Sequence, residues 1–288
     1  MEDPLATDEA ADIGEKDDLS ADVDEVAMYD RARLLEKERA IHEAKVLAKA
    51  TVFMDRLYAA EFPTAQAGQQ LSRKERTDNH FTSPSLADTE IDLASFHRVF
   101  TKLHRFGWAD SNEGRFLDIG SGIGKAVFAA CLFHTNWKSC VGIEILTSLN
   151  QASLHIKNTA WHEAKRDLEQ HQQDIDVQFL LGDALTMKWS ENDHAGGGDV
   201  VFINATSFDE GMVDKLSQEA RGLRSGAFII ITSKRLRGVD SFFDLLASDL
   251  MENSFGAVKV FIYKRGALPA PGFIGDYDKY VKDLLSHA

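Results

Sequence analysis

Cysteine is nearly absent from this 288-residue chain. Cys131 and Cys140 form no CxxC pair and have no histidine at ligand spacing, which excludes a disulfide framework and a cysteine-built zinc site and predicts two reduced, buried thiols. His42-Glu43 and His162-Glu163 each begin like a zinc-protease helix, but Val46 and Arg166 stand where the second histidine is required, so no metal site is expected. An apolar run of the ~18–20 residues that span a membrane is also missing. Met1-Glu2-Asp3-Pro4 does not open a signal peptide, lacking its basic and apolar regions. The expectation is an intracellular protein with no membrane partner.

Positive charge falls short of negative, 32 Lys and Arg against 46 Asp and Glu, for a formal net charge of −14. Its placement matters more than its total. Glu2 to Glu25 holds eleven acids against Lys16 alone, so the folded remainder is close to balanced and proximity to nucleic acid is not excluded. Residues 1–23 read as an acidic, solvated, disordered tail, with docking of a basic partner as the alternative.

Asp24 to about Tyr58 contains no glycine or proline. Ile41, Ala44, Leu47, Ala48, Thr51, Met54, Leu57 and Tyr58 recur there in steps of three and four, which predicts one packed face of a long helix. Pro63 to Gln70 breaks the pattern, and Arg73 to Asn79 reads as a charged, exposed connector. Ile91 to Phe106 is predicted to be a second amphipathic helix. Beyond it, Arg115–Ile119, Cys140–Ile143, Val177–Leu181, Val200–Ile203 and Ala227–Thr232 are short, β-branched runs separated by helical stretches, the pattern of a largely parallel sheet covered on both faces. Val258–Tyr263 follows no long helix and is expected to run antiparallel at the sheet edge. The division this suggests is a tail over residues 1–23, a helical segment over 24–107, an α/β domain over 108–266 and an extension over 267–288 that holds one last helix.

In an open α/β sheet, ligands bind beyond the carboxyl ends of the strands. The turn Asp118-Ile119-Gly120-Ser121-Gly122-Ile123-Gly124 falls there. Gly120, Gly122 and Gly124 permit tight turning and close approach of a ligand, and the helix from Lys125 offers its first amides to a carboxylate. A nicotinamide site requires GxGxxG, for which Lys125 or Val127 is the wrong residue. GxGxG with an aspartate two residues before it suits the amino-acid end of S-adenosylmethionine. Glu144 closes the second strand about 20 residues on, where a carboxylate can accept ribose hydroxyls, and Asp183 closes the third, where it can accept the adenine amino group. Each acid alone is an ordinary strand-end residue; three in order at successive strand ends are not. Asn204 ends the fourth strand, facing the transferred methyl group. An amide there suits an amine acceptor, since its carbonyl can orient a neutral nitrogen; capping of the helix near Asp209 is the alternative.

With Asn204 in view, the chain resembles the disruptor-of-telomeric-silencing family of non-SET histone-lysine methyltransferases, as a compact, protozoan-like member. The resemblance runs from about Phe81 to Arg265 and rests on Phe116 to Gly124, Val141-Gly142-Ile143-Glu144, Val201 to Phe208, Thr232-Ser233-Lys234 and Asp88-Thr89-Glu90-Ile91-Asp92-Leu93. It implies a class I methyltransferase fold, Rossmann-like with a mostly parallel sheet, and methylation of a lysine on the globular face of nucleosomal histone three, hence a nuclear protein. Asp88 and Thr89 then belong to a cofactor lid, Lys125 stands at the family's glutamine after the glycine turn, Ala184 at its aromatic partner to adenine, and Phe81, Phe208 and Phe255 at the lysine channel. Arg73, Lys74 and Arg76, and Lys234, Arg235 and Arg237, are candidates for the nucleosome surface. Two rivals stand beside this reading: the same fold acting on a non-histone protein, a nucleic acid or a small molecule, and a non-catalytic scaffold.

Overall fold

The computed structural model describes residues 19–60, 62, 67–78, 91–108, 113–134, 136–190, 197–253 and 256–266. The chain divides into two compact units, residues 1–45 and 46–288. The described part of the first is the beginning of helix α1 (Leu19–Tyr58), where Arg39 and Glu43 pair one turn apart and Leu34, Leu35 and Ile41 are exposed.

The second unit is built on a seven-stranded sheet in the order β3-β2-β1-β4-β5-β7-β6. Its strands are β1 (Gly114–Ile119), β2 (Trp137–Glu144), β3 (Asp176–Leu181), β4 (Val200–Ile203), β5 (Phe228–Thr232), β6 (Phe243–Asn253) and β7 (Gly256–Arg265). The first five are mutually parallel, and β7 pairs antiparallel with both β5 and β6. Helices connect them: α2 (Ala67–Asp78) and α3 (Leu93–Arg105) precede β1, and α4 (Lys125–Phe133) links β1 to β2. Between β2 and β3 lies α5 (Thr147–Ile156), which runs through a π-helical turn, Lys157–Trp161, into α6 (His162–Ala164); α7 (Gln170–Gln173) follows. Helix α8 (Glu210–Ala220) precedes β5.

β4, Val-Val-Phe-Ile, and β5, Phe-Ile-Ile-Ile-Thr, are buried along their whole length, because alternate side chains enter cores on opposite faces of the sheet. Phe116, Phe202, Phe228 and Ile230 join Phe96, Val99, Phe100 and Leu103 of α3 in one core. Leu117, Ile119, Val201, Ile203, Ile229 and Ile231 join Leu216 of α8 in the other. Caps fix where these two helices start: Asp92 Oδ2 accepts from Ser95 N (2.7 Å) and Asp209 Oδ1 from Met212 N (2.8 Å). The latter removes helix capping as an explanation of Asn204.

Four expectations need correction. The strand at Val258–Tyr263 is antiparallel, but it lies inside the sheet; the edge is β6, whose exposed Leu245 and Leu250 and intervening acids break the usual in–out alternation. The connector expected from Arg73 is helical as far as Asp78, in α2; Arg73 and Lys74 are exposed as expected, but Ser72 beside them is fully buried. The packed stripe of α1 is Ala50, Phe53, Met54, Leu57 and Tyr58, whereas Ile41, Ala44, Ala48 and Thr51 are exposed. Alanine and threonine fit either side of a helix, and the aromatic anchor Phe53 decides which side is buried. The second helix starts at Leu93 rather than Ile91, because Ile91 bridges Asn253 at the end of β6.

Phe96 is fully buried and its ring packs on Phe100, Phe116, Phe133 and Phe202. Phe96→Ala is therefore expected to destabilise the protein by about 3–5 kcal/mol, measured by urea denaturation.

Candidate active site

The register of the sheet assembles the site. Ile119 pairs with Ile143 and Ile203, Glu144 with Leu181, and Ile203 with Ile231. The residues just past these positions, Gly120, Asn204 and Thr232, with Glu144 and Asp183, are thereby brought to one edge of the sheet. It lies where the order reverses between β1 and β4, the switch point at which open α/β sheets bind ligands.

The glycine turn begins with Gly120 N and Ser121 N both donating to Ile143 O (2.9 and 3.0 Å). Gly120, Gly122 and Gly124 have φ of 79°, 54° and 87°, the left-handed region that side chains disfavour. A Cβ on Gly124 would lie 2.6 Å from the Phe179 ring, and one on Gly142 would lie 2.6 Å from Ser121. Asp118, just before the turn, is buried at 2% exposure. Glu144 reaches back across the turn: Oε2 accepts from Gly122 N and Oε1 from Leu146 N, both at 2.8 Å. Burial pushes its carboxyl up from the ordinary range, against the lowering effect of these amides. Asp183 is half-buried and accepts from Leu185 N (2.9 Å). The carbonyl of Ala184 accepts from Trp189 Nε1, and Lys125 Nζ lies 5.3 Å from the centroid of the Tyr58 ring.

Bare main chain at the start of α4, followed by carboxylates at the ends of β2 and β3, fits S-adenosylmethionine: amides for its carboxylate, acceptors for its ribose hydroxyls and adenine amine. Ile145 and Leu181, near those acids in sequence, are exposed at 45% and 53%. Near Asn204, Phe208 approaches the turn, its Cζ 3.5 Å from a Cβ built on Gly120. Asp88, Thr89, Phe81 and Phe255 lie outside the described residues.

Asn204 differs from expectation in one respect. Its Oδ1 already accepts from Thr206 Oγ1 (2.9 Å) and Thr232 Oγ1 (2.8 Å). Two donors fill a carbonyl oxygen's two lone pairs, so one hydroxyl must turn away before that oxygen can orient an incoming amine.

Two contacts at the site have no counterpart in the sequence pattern. Tyr58 Oη donates to Ile123 O (3.0 Å, buried), tying the end of α1 to the glycine turn. Glu75 on α2 accepts from Thr147 N and Ser148 N (2.9 and 2.7 Å), capping α5 from 72 residues away. Partial burial opposes ionisation of Glu75, but the hydrogen bonds from Ser148 and Thr147 outweigh it and hold the carboxyl below its usual range. Three successive amides after β2 are thus shared between Glu144 and Glu75. No sequence pattern marks such a contact, although the lack of any capping side chain at Leu146 shows that α5 needs one from elsewhere.

Among the described residues, no cluster of three or more His, Cys, Asp or Glu is placed to hold a metal ion, and no helix is long and apolar enough to cross a membrane. The family model described as histone methylation protein DOT1 matches residues 103–260. No curated protein matches the sequence significantly. Solved structures similar to the chain include an RNA methyltransferase from Salinibacter ruber in complex with S-adenosyl-L-homocysteine, 21% identical over 60% of this chain and 94% of that one (TM-score 0.39). Another is TrmN from Thermus thermophilus, 18% identical over 57% of this chain and 47% of that one (TM-score 0.41).

Glu75→Ala leaves two amides at the start of α5 without their cap, next to Glu144. It is expected to raise the Kd for S-adenosylhomocysteine about 3–10-fold, the equivalent of one lost cap, measured by calorimetry. Glu75→Gln, which keeps an acceptor, is expected to lose less. Because the folded pKa is depressed, the wild-type advantage is present above the ordinary carboxylate range and is lost as pH falls through the folded value.

Proposed function

The chain belongs to the family of histone methylation protein DOT1 and is an S-adenosylmethionine-dependent methyltransferase; on that premise we propose that it methylates a lysine of nucleosomal histone three, in the nucleus. The observation that carries this reading is the placement of Asn204 beside Gly120 in register, past the ends of β4 and β1, with Phe208 against the turn.

The methyl group sits on a sulfonium and is already activated, so the protein must supply in-line placement and a neutral nucleophile. A free lysine, with a pKa near ~10.4, is neutral in only about one part in a few thousand at pH 7. Apolar walls lower that pKa by desolvation. We assign this task to Phe208, with Phe81 and Phe255, and assign Asn204 to the acceptor nitrogen. For the cofactor, Gly120, Gly122, Gly124 and Lys125 would flank its amino-acid end, Asp118 would face that end, Glu144 would take the ribose, and Asp183 and Ala184 the adenine. Asp88 and Thr89 would close over it.

A nucleosome also presents phosphates. Of the two basic groups, Lys234 and Arg237 pair with Glu210, Arg237 also pairs with Asp214, and Arg235 lies over the Phe261 ring. Arg73 and Lys74 on α2 are exposed, and we favour that helix as the phosphate-facing surface. The acidic tract Glu2 to Glu25 would suit a basic partner such as a histone.

Asn204→Ala is expected to reduce methyl transfer to recombinant nucleosomes at least about 100-fold while the Kd for S-adenosylhomocysteine changes no more than a few-fold, consistent with loss of a group that acts in the transition state. Mass spectrometry of the histones reads the outcome, and a fully active variant removes the role. Replacing both Arg73 and Lys74 by alanine should weaken nucleosome binding and flatten its log–log salt dependence by about 1–2. An unchanged slope would move the contact elsewhere.

A further inference from the structure

Ser233 is the only described residue other than glycine with a positive φ, at 63°. Lys234 N donates to Thr232 O across it (2.7 Å), so Ser233 sits at the centre of a three-residue γ-turn of the rare, strained kind. Strain of this sort persists only where the surroundings over-determine it, and it concentrates at functional sites. Here Ser233 N is held by Lys259 O of β7 (2.6 Å), and the exposed Ser233 hydroxyl is placed 3.0 Å from Thr206 Oγ1.

The protons of this cluster can be followed. Thr232 is fully buried and gives its single hydroxyl proton to Asn204 Oδ1. Thr206 gives its own to the same oxygen, and accepts from Asn253 Nδ2 (3.4 Å). Thr206 and Thr232 also approach each other at 3.3 Å, but with both protons directed at Asn204 neither has one for the other. The contact between Thr206 and Ser233 can run in either direction. Thr206 therefore has Asn204 Oδ1 and two hydroxyl oxygens as acceptors for one proton, and of the hydroxyls Ser233 Oγ at 3.0 Å is nearer than Thr232 Oγ1 at 3.3 Å.

We propose that the Thr206 hydroxyl is a placeholder for the acceptor amine at the Asn204 carbonyl, and that Ser233 is held in its strained turn to receive the displaced proton. On arrival of the amine, an amine N–H takes the lone pair that Thr206 held. The Thr206 hydroxyl rotates to Ser233 Oγ, whose own proton turns to solvent, and Thr232 continues to hold the carboxamide. Only hydroxyl rotations are involved and no covalent bond is broken. Thr206 and Ser233 are positioning residues, and the inference rests on the assignment of Asn204 to the acceptor nitrogen.

The test is steady-state kinetics of the full chain on recombinant nucleosomes. Ser233→Ala leaves the Thr206 proton only the more distant Thr232 Oγ1 as an alternative acceptor, and is expected to raise the KM for nucleosomes about 5–10-fold, the equivalent of one hydrogen bond. The Kd for S-adenosylhomocysteine should stay within about twofold. Thr206→Val removes the placeholder, so its KM should equal or fall below that of the wild type. The double variant Thr206→Val with Ser233→Ala should behave as Thr206→Val alone, a non-additivity that a merely structural role does not produce. Ser233→Gly relaxes the turn and serves as a second variant with the same expected rise if Ser233→Ala lowers the melting temperature. If Asn204→Ala is inactive but Ser233→Ala has the wild-type KM, or its effect persists undiminished beside Thr206→Val, this inference alone is overturned. If Asn204→Ala is fully active, or the wild-type enzyme transfers nothing to nucleosomes, the underlying reading fails and takes the inference with it.

Discussion

Gly124 and Gly142 cannot carry a Cβ without meeting Phe179 or Ser121 at less than 3 Å, and this crowding positions the glycine turn. Phe179 projects from β3 into the space left by both glycines, so the turn after β1 is pressed against β2 at the level where Glu144 emerges. Gly122 N then lies 2.8 Å from the Glu144 carboxylate. The open main chain that a cofactor can approach and the carboxylate beside it are consequences of the same packing. A larger residue at either glycine would displace the turn and separate the two. The burial that pushes the Glu144 carboxyl up has the same origin, since the strand ends are closed over by the turn and by the loop into α5.

The parts of this arrangement that were legible in the sequence are those in which a local pattern and a tertiary role coincide. β4 and β5 are runs of apolar residues because both faces of the sheet are covered there, and the glycines of the turn are glycines because of backbone geometry. Both leave a mark within a few residues. β6 leaves none: Asp244, Leu245, Ser248, Asp249 and Leu250 fit neither a buried run nor a clean alternation, and its pairing with β7 is interrupted by a bulge between Leu245 and Ala247. On α1, spacing alone places a stripe but cannot choose between two stripes that both contain alanine. Phe53, edge-on to Trp161, makes that choice through a contact more than a hundred residues away.

The amide side chain at the end of β4 illustrates a further limit. Position and residue type indicated the chemistry to which Asn204 is suited, but not the state of its hydrogen bonds. These come from Thr206, two residues on, and from Thr232 at the end of the neighbouring strand, which the pairing of Ile203 with Ile231 brings alongside. A strand-end residue acquires its partners from sheet register, so a motif read on one strand specifies half of the site at best.

Register and capping also bear on charge. Glu75 faces the start of α5, and successive residues on an α-helix are rotated by about 100°, so Arg73, two residues earlier, is directed about 200° away from the docked face. The contact that draws α2 onto the loop beyond Glu144 therefore turns Arg73 outward, and its exposure follows from the same geometry. After β5, Lys234 and Arg237 have the opposite environment, because α8 begins with Glu210, within reach of both, and carries Asp214 one turn later, within reach of Arg237. A phosphate approaching that side would have to compete with carboxylates already in place, whereas one approaching α2 would meet Arg73 directed toward it. The strongly acidic composition of the chain thus does not oppose a polyanionic partner as its total suggests, since most of the excess lies in the first 25 residues and helix orientation decides what the remaining surface presents.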